Sequence, residues 1–129
     1  MLHVTKNIQP EFTDERGDIT AILDDGIVNI RSTLIITSKK GAVRANHYHK
    51  EDSHYCYLLS GKMKYFEKAI DAPDSEMEEV VLETGDMIFS PPMRAHAMEF
   101  LEDTVWVVLA TKSRKDGAYE HDTVRVKVI

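Results

Sequence analysis

Four histidines in two separate stretches of the chain have residue types and spacing that suit metal binding or proton transfer. His47 and His49 stand two residues apart, His54 follows the polar segment 50–53, and His96 comes much later. Side chains at positions i and i+2 of an extended strand point to the same face, so His47 and His49 are expected to point the same way. Neutral imidazole binds several divalent metals, and its ordinary pKa near neutrality also suits acid–base catalysis.

The polar segment 50–53 has the length and composition of a hairpin loop, which predicts how these histidines meet. If the hairpin places His49 opposite His54, the two imidazoles become cross-strand neighbours with Cβ atoms ~5 Å apart. The same register places Cys56 opposite His47 on the inward face, where we expect the cysteine to be a small apolar residue rather than a ligand. The tyrosines of both strands then predict one aromatic patch on the outer face: Tyr48, Tyr55 and Tyr57.

Composition limits the classes of function. The 129 residues fit one domain, and the net charge of −6 argues against a protein that follows a nucleic-acid backbone. No apolar run approaches the ~20 residues of a membrane span, and no secretory signal is visible at the N-terminus. The single cysteine excludes an internal disulfide. We therefore expect a cytoplasmic protein that binds neither nucleic acid nor membrane.

The rest of the sequence predicts β-structure that would position the histidines. No long segment has the 3.6-residue apolar period of a helix, and short β-rich runs are instead separated by turn residues. Strands at roughly 8–12-residue spacing predict a β-sandwich or barrel over residues 1–129. The acidic segment 67–79 is expected to be a solvated loop. The predicted strands are 18–23, 34–37, 42–49, 54–59, 62–67, 77–83, 87–89, 95–101, 105–110 and 123–128.

The spacing of glycines, histidines and a proline resembles the two sequence motifs of the cupin superfamily. The family's first motif has a glycine, an H-x-H pair, an acidic residue and a closing glycine, and its second has a glycine, a proline and a histidine. The resemblance covers residues 40–100 and implies an all-β jelly-roll barrel of two antiparallel sheets. The matching residues here are Gly41, His47, His49, His54 and Gly61, followed by Gly85, Pro91 and His96.

By this resemblance, the ligands of a divalent metal ion would be His47, His49, His54 and His96. The chain departs from the family at His54, where cupins usually have glutamate, and at Met93 and Phe100, where they often have glycine and asparagine. Four neutral histidines leave the full dipositive charge on the metal, which should make it a stronger Lewis acid. Zn, Mn, Fe and Ni all remain candidates.

A narrower resemblance links the chain to cupins that act on sugar nucleotides. Residues 12–17 look like their D-x-R-G motif, and residues 43–50 resemble both the R-G-L-H-Y run of deoxysugar 3,5-epimerases and the R-G-x-H-A-H-K run of sugar 3,4-ketoisomerases. The implied chemistry is proton abstraction beside the ketone of a nucleotide-linked keto-sugar. His47 matches the epimerase base and His49 the proposed ketoisomerase base. Arg16 and Arg44 match arginines expected near the diphosphate.

The two resemblances disagree about the metal, because the sugar-nucleotide enzymes generally work without one. The epimerase acid is a tyrosine that has no counterpart in residues 105–109, and Tyr119 is no obvious substitute. We expect a metal-binding homodimer that isomerises or epimerises a keto-sugar, free or nucleotide-linked, in surface polysaccharide synthesis. The alternatives are an iron-dependent cupin dioxygenase and a non-enzymatic carbohydrate-binding cupin.

Overall fold

Antiparallel β-strands make up most of the regular structure in the computed structural model, which describes residues 1–129. One short helix, α1 (Ala118–Asp122), and two 3-10 turns (Asp74–Glu76 and Lys115–Gly117) complete it. None of these helical segments has the length and apolar character needed to cross a membrane. The strands are β1 (His3–Thr5), β2 (Phe12–Asp14), β3 (Gly17–Ile19), β4 (Ser32–Ser38), β5 (Val43–His49), β6 (His54–Ser60), β7 (Lys62–Ala69), β8 (Glu78–Glu83), β9 (Met87–Ser90), β10 (Arg94–Phe100), β11 (Thr104–Ala110) and β12 (Thr123–Arg125).

Two five-stranded sheets form the barrel. The first sheet has the strand order β1-β9-β6-β11-β4, and the second has the order β12-β5-β10-β7-β8. Every strand pair is antiparallel, and β2 and β3 form a separate small hairpin. This arrangement confirms the predicted all-β barrel of two antiparallel sheets.

One apolar core lies between the two sheets. Burial alternates along strand β11. Every second residue is buried and the residues between them are partly exposed; the buried ones are Thr104, Trp106, Val108 and Ala110. This two-residue period is the one that a sheet with one core-facing side requires. The core cluster contains Cys56, Leu58, Met63, Tyr65, Leu82, Ile88, Met98, Phe100, Trp106 and Val108.

The predicted hairpin between β5 and β6 is wrong, because these strands belong to opposite sheets. The segment between them crosses from one sheet to the other. Its backbone N–H groups are satisfied from a distant part of the chain: the Asp122 carbonyl accepts from Lys50, and the Asp122 carboxylate accepts from Glu51 and Asp52. A distant partner therefore replaces the hydrogen bonds of a local turn, and short sequence patterns do not reveal it.

Two other expectations depended on that hairpin and are also wrong. Cys56 pairs with Val108 and Ile88, not with His47. It is nevertheless a core residue as expected, because it is only 1% exposed and burial raises the pKa of its thiol to about 12. The three tyrosines do not form one patch, since Tyr48 lies in the second sheet whereas Tyr55 and Tyr57 lie in the first.

Two predicted segments also differ from the structure. Only Asp18 and Ile19 of the predicted strand 18–23 form β structure, as part of β3, which pairs within the small β2–β3 hairpin. Glu67 belongs to β7 and is fully buried, so it is not part of a solvated loop. Its carboxylate accepts hydrogen bonds from the Tyr65 hydroxyl and from Arg94 Nε, which compensate for its burial.

Candidate active site

Three imidazoles meet between the sheets. His47 and His49 both point inward from β5, as their spacing predicts, and His96 of β10 lies directly opposite His47 in the strand register. The ring centroid of His47 lies 4.6 Å from that of His49 and 4.8 Å from that of His96. All three side chains are buried, and each can offer a nitrogen within 4.8 Å of the other two.

A β-bulge just before His47 sets the position of its ring. The register between β5 and β10 shifts there, and both Ala45 (φ 69°) and Asn46 (φ 52°) adopt left-handed conformations that are unfavourable for non-glycine residues. The Asn46 side-chain oxygen accepts hydrogen bonds from the backbone N–H groups of Val128 and Ile129. The C-terminal segment thus anchors the strained backbone that precedes His47.

Hydrogen bonds determine which ring nitrogens remain available in two of the histidines. His96 Nδ1 lies 3.1 Å from the Arg94 carbonyl oxygen, so it carries the proton and leaves a lone pair on Nε2. The Thr123 hydroxyl donates to the Tyr119 carbonyl oxygen, so its own oxygen can accept from His49 Nδ1 at 3.3 Å. His49 Nε2 then keeps its lone pair, and it is buried without a protein partner.

The buried histidines are held in the neutral form. Burial lowers the pKa of His47 to about 2, and the neighbouring histidines reinforce this effect. Burial, together with the nearby His54, lowers the pKa of His49 to about 4. Burial also lowers the pKa of His96 to about 3, outweighing the opposing effect of its hydrogen bond to the Arg94 carbonyl. Neutral imidazole is the form that donates a lone pair to a metal.

The chemistry of this cluster fits a metal ion. His47 Nδ1 and His49 Nε2 are buried polar atoms with no hydrogen-bond partner, a costly arrangement that a cation bound by these nitrogens would relieve. His49 and His96 each direct the other ring nitrogen to a protein acceptor, as metal-binding histidines usually do. His47, His49 and His96 are therefore suited to hold one divalent ion.

His54 lies beside this cluster but has a different environment. Its ring centroid is 4.5 Å from that of His49, and its Nε2 lies 2.8 Å from Asp52 Oδ2. The other Asp52 oxygen accepts hydrogen bonds from Thr111 and from the Lys112 N–H. Because the carboxylate is fully engaged, Asp52 is better suited to orient His54 than to bind a metal, although its position would allow a His49–Asp52–His54 ligand set.

A cavity of about 580 Å³ opens above the histidines. Three arginines, Arg44, Arg114 and Arg125, are among its 15 lining residues, and none of these residues is an aspartate or glutamate. The Arg114 guanidinium lies 3.8 Å from the centroid of the Tyr119 ring, which also lines the cavity. The wall is therefore cationic although the chain as a whole has a net charge of −6.

The candidate residues from the sequence are distributed unequally around this cavity. His47, His54, His96 and Arg44 line it, whereas His49 lies behind the wall and is only 1% exposed. The structure does not bring Arg16 to the cavity. Its side chain is 79% exposed and forms an ion pair with Asp14 on the β2–β3 hairpin.

Sequence reasoning did not assign four residues that belong to the site: it missed Asp52, Arg114 and Arg125, and it named Tyr119 only as no obvious substitute for the epimerase acid. Asp52 had a weak local signal, since it lies two residues before His54. The other three come from the C-terminal quarter of the chain and reach the cavity only because β12 pairs with β5. That pairing aligns Arg125 with His47. No motif spacing could have indicated it.

Comparisons with known proteins agree with this architecture. A family model described as a cupin domain matches residues 34–111. A search of curated protein sequences found no significant match. A structure of the QdtA 3,4-ketoisomerase from Thermoanaerobacterium thermosaccharolyticum, a double mutant in complex with TDP, is similar at 26% identity and a TM-score of 0.75, over 96% of this chain and 86% of that chain.

Two further solved structures share the fold at lower identity. The dTDP-4-dehydrorhamnose 3,5-epimerase from Sulfolobus tokodaii is 22% identical with a TM-score of 0.69, over 87% of this chain and 70% of that chain. The TDP-quinovose 3,4-ketoisomerase from Campylobacter jejuni is 18% identical with a TM-score of 0.73, over 93% and 95%. The resemblance to sugar-nucleotide cupins that the sequence predicts is thus confirmed. Because the family match runs from β4 to the end of β11 and so includes most of both sheets, the chain belongs to the cupin domain family.

Proposed function

We propose that this protein is an isomerase or epimerase of a keto-sugar linked to a nucleoside diphosphate. The observation that carries the proposal is the combination of histidines at the base of the cavity with three arginines, and no carboxylate, around it. A role in surface polysaccharide synthesis is part of the proposal and rests on the sequence resemblance alone. The structural similarity to ketoisomerases and an epimerase supports the same class of reaction.

The charge of the cavity favours an anionic substrate over a neutral sugar. Guanidinium groups bind phosphate oxygens through paired, charge-assisted hydrogen bonds. Arg114 and Arg125 are exposed, and neither has a carboxylate closer than the 4.0 Å between Arg125 and Glu120. Arg44 is already engaged, because it donates to Ser38 Oγ and to the Thr37 carbonyl oxygen. We therefore assign the diphosphate mainly to Arg114 and Arg125, with Arg44 fixing the wall beside them.

In this proposal, His47, His49 and His96 hold a divalent metal through the nitrogens that lack other partners. When bound, the ion would supply Lewis-acid polarisation of the substrate ketone. The protein supports the ligands from behind, because the Arg94 carbonyl and the Thr123 hydroxyl fix the rings of His96 and His49. The apolar side chains Trp106 and Val108 line the same cavity.

The chemical step is the removal and return of one proton. A base takes the proton from the carbon beside the ketone, and the C–H electron pair forms an enediolate with the carbonyl oxygen. Return of a proton to the opposite face of the same carbon gives an epimer. Return to the former carbonyl carbon, together with transfer of a proton from the neighbouring hydroxyl to the former ketone oxygen, gives an isomer. We assign the base to His54, because it lines the cavity and its bond to Asp52 through Nε2 leaves Nδ1 for the substrate.

The bases suggested by the sequence resemblance are tested together with this assignment. His47 lines the cavity and could act directly in a reaction without metal, whereas His49 is separated from the cavity and would act by holding the site together. Loss of turnover in His54→Gln with retained metal would support the assignment. Loss of both turnover and metal in His47→Gln would support its role as a ligand.

Hydrogen exchange tests the proposed reaction directly. The protein is incubated in D₂O with a TDP-linked 4-keto-6-deoxy sugar, and proton NMR follows exchange at the carbons beside the ketone. We expect exchange with wild type and with His121→Ala, an exposed histidine outside the cavity, and none with His54→Gln. Thermal stabilisation by the sugar nucleotide without exchange would overturn the enzyme proposal and favour a carbohydrate-binding protein.

Metal content provides a test that does not depend on activity. Elemental analysis of untagged protein should give about one divalent ion per chain for a site of this kind. His96→Gln should lose the ion and His121→Ala should keep it. A protein that contains no metal, even after incubation with Zn, Mn, Fe or Ni, and still catalyses exchange would show that the histidines work without an ion.

A further inference from the structure

A buried carboxylate lies next to His96 and takes no direct part in the proposed reaction. Glu67 of β7 is the strand partner of His96 on β10, and its side chain is fully buried. It does not line the cavity, and it belongs to neither group of residues that could hold a metal ion. Any effect of Glu67 on the site must therefore pass through its neighbours.

The two oxygens of this carboxylate hold two different side chains. Oε1 accepts a hydrogen bond of 2.8 Å from the Tyr65 hydroxyl, and Oε2 accepts one of 2.7 Å from Arg94 Nε. Because the Tyr65 proton goes to the carboxylate, the phenol oxygen is left to accept from the Ser90 hydroxyl at 2.6 Å. Glu67 thus fixes one residue on its own strand and one on the neighbouring strand.

Both of these residues contact the His96 ring. The Arg94 carbonyl oxygen lies 3.1 Å from His96 Nδ1 and holds one edge of the imidazole. The Tyr65 ring stacks beside the imidazole, with 6.0 Å between the ring centroids and 17° between the planes. An edge and a face of the imidazole are therefore both constrained, and Glu67 is the group that joins the two constraints.

A stabilising effect alone does not account for the ion pair between Glu67 and Arg94. Taking two charges out of water is costly, and a pair of apolar side chains of similar volume is often as stable. Glu67 is nevertheless fully buried, and the Arg94 side chain is only 23% exposed. Charge-assisted hydrogen bonds add direction, because they fix the geometry of both partners. A fixed direction is what the imidazole of His96, two residues after Arg94, requires.

We propose that Glu67 is a positioning residue, which orients the His96 imidazole through the two side chains that its carboxylate binds. With Nδ1 held by the Arg94 carbonyl, Nε2 is the nitrogen that remains for a metal ion. The use of that nitrogen as a metal ligand rests on the proposed function, whereas the orientation of the ring by Glu67 does not. The experiments below separate the two.

Proton–nitrogen NMR of the imidazoles tests the orientation in metal-free protein. In wild type we expect a His96 Nδ1–H signal that exchanges slowly with water, because this proton is hydrogen-bonded and the ring is buried. Glu67→Gln removes the charge that holds Arg94, so the exchange should become at least ~10-fold faster. The signal is identified by its loss in His96→Gln. An exchange rate that Glu67→Gln leaves unchanged would overturn the inference.

Asp86→Asn is the matched control. Asp86 is also a buried carboxylate in an ion pair, with Lys6, but neither residue lines the cavity. Both acid-to-amide substitutions should destabilise the fold, and only Glu67→Gln should accelerate exchange at His96. Equal acceleration by the two variants would show that a general loss of stability is responsible, and the positioning role would be wrong.

Zinc affinity, measured by competition with a chromophoric chelator, tests the consequence for the proposed metal site. Loss of a group that supports a ligand typically weakens metal binding by about 10–100-fold, and we expect that range for Glu67→Gln and wild-type affinity for Asp86→Asn. Wild-type affinity in Glu67→Gln would overturn the inference.

A double variant separates positioning from stability. Glu67→Met combined with Arg94→Met removes the ion pair as a unit, and it should recover stability relative to Glu67→Gln without recovering zinc affinity. Recovery of both would overturn the positioning role. A wild type that binds no zinc would instead refute the metal site of the proposed function, and the NMR comparison would then decide the inference on its own.

Discussion

Asp52 holds His54 through a hydrogen bond of 2.8 Å between its Oδ2 and the ring Nε2. Its other oxygen accepts hydrogen bonds from the Thr111 hydroxyl and N–H and from the Lys112 N–H. One buried carboxylate therefore joins a cavity histidine to the segment that leads towards Arg114. The position of the histidine and the position of the arginine are structurally coupled.

Replacing Asp52 should destabilise the protein more than replacing its neighbour in sequence. Asp52→Ala leaves several buried donors without an acceptor, and we expect the free energy of unfolding to fall by about 2–4 kcal/mol. Glu51→Ala should change it by less than about 0.5 kcal/mol, because that side chain is exposed and pairs only with Lys112. Urea denaturation measures both values, and similar values for the two variants would contradict the role given to Asp52.

The bulge before His47 predicts opposite effects for two adjacent substitutions. Ala45→Gly should be neutral or stabilise the protein by up to about 1 kcal/mol, because glycine adopts φ 69° without strain. Asn46→Ala should destabilise it by about 2–3 kcal/mol, since it removes the acceptor for Val128 and Ile129. The same denaturation experiment measures both changes. Destabilisation by Ala45→Gly as large as that by Asn46→Ala would contradict this account of the bulge.

The family pattern gives an independent reason to examine Ala45. The R-G-x-H motif of the related enzymes has glycine at the position that Ala45 occupies. In this chain the backbone at Ala45 is left-handed (φ 69°), a conformation that glycine adopts without strain. Alanine at this position therefore accepts backbone strain that glycine would avoid.

Local patterns in the sequence predicted the parts of the site that depend on strand geometry. His47 and His49 both point inward because of the two-residue period of β5, and both are buried. The proximity of His49 and His54 was also predicted, but through a hairpin that does not exist. The rings meet across the barrel because the two strands face each other in opposite sheets.

The remainder of the site depends on contacts between residues far apart in sequence. Arg125 lies beside His47 because β12 joins the edge of the second sheet, and the register of that pairing is not encoded near either residue. Arg114 and Tyr119 follow from the same return of the chain. A motif can identify histidines that share a strand, whereas the residues that surround a substrate come from the global topology.

The lowered histidine pKa values predict how the stability of the metal-free protein depends on pH. Unfolded histidines take up protons near pH 6.5, whereas folded His47, His49 and His96 remain neutral until about pH 4 or below. The unfolded state therefore binds more protons as the pH falls through 6.5, and the free energy of unfolding decreases. Each histidine contributes up to about 1.4 kcal/mol per pH unit to this decrease.

Urea denaturation in chelator between pH 5 and 7 measures this dependence. His96→Gln removes one titrating group from both states and should reduce the slope by up to about 1.4 kcal/mol per pH unit. The exposed histidine variant His121→Ala should keep the wild-type slope. A free energy of unfolding that stays constant from pH 7 to 5 would show that the three rings are protonated as easily in the folded protein as in the unfolded chain.

Arg114 should contribute to substrate binding more than to the chemical step. Its guanidinium lies over the Tyr119 ring at the cavity wall, where it is placed to meet an anionic group rather than the reacting carbon. We expect Arg114→Ala to raise KM for a TDP-linked keto-sugar by about 10–100-fold, the value of one charge-assisted hydrogen bond, with little change in kcat. Arg114→Lys should be intermediate because it keeps the charge but loses the paired donors.

Lys115→Ala is the matched control, since it removes an adjacent exposed cation that does not line the cavity. Equal KM values for Arg114→Ala and Lys115→Ala would show that the substrate is held elsewhere.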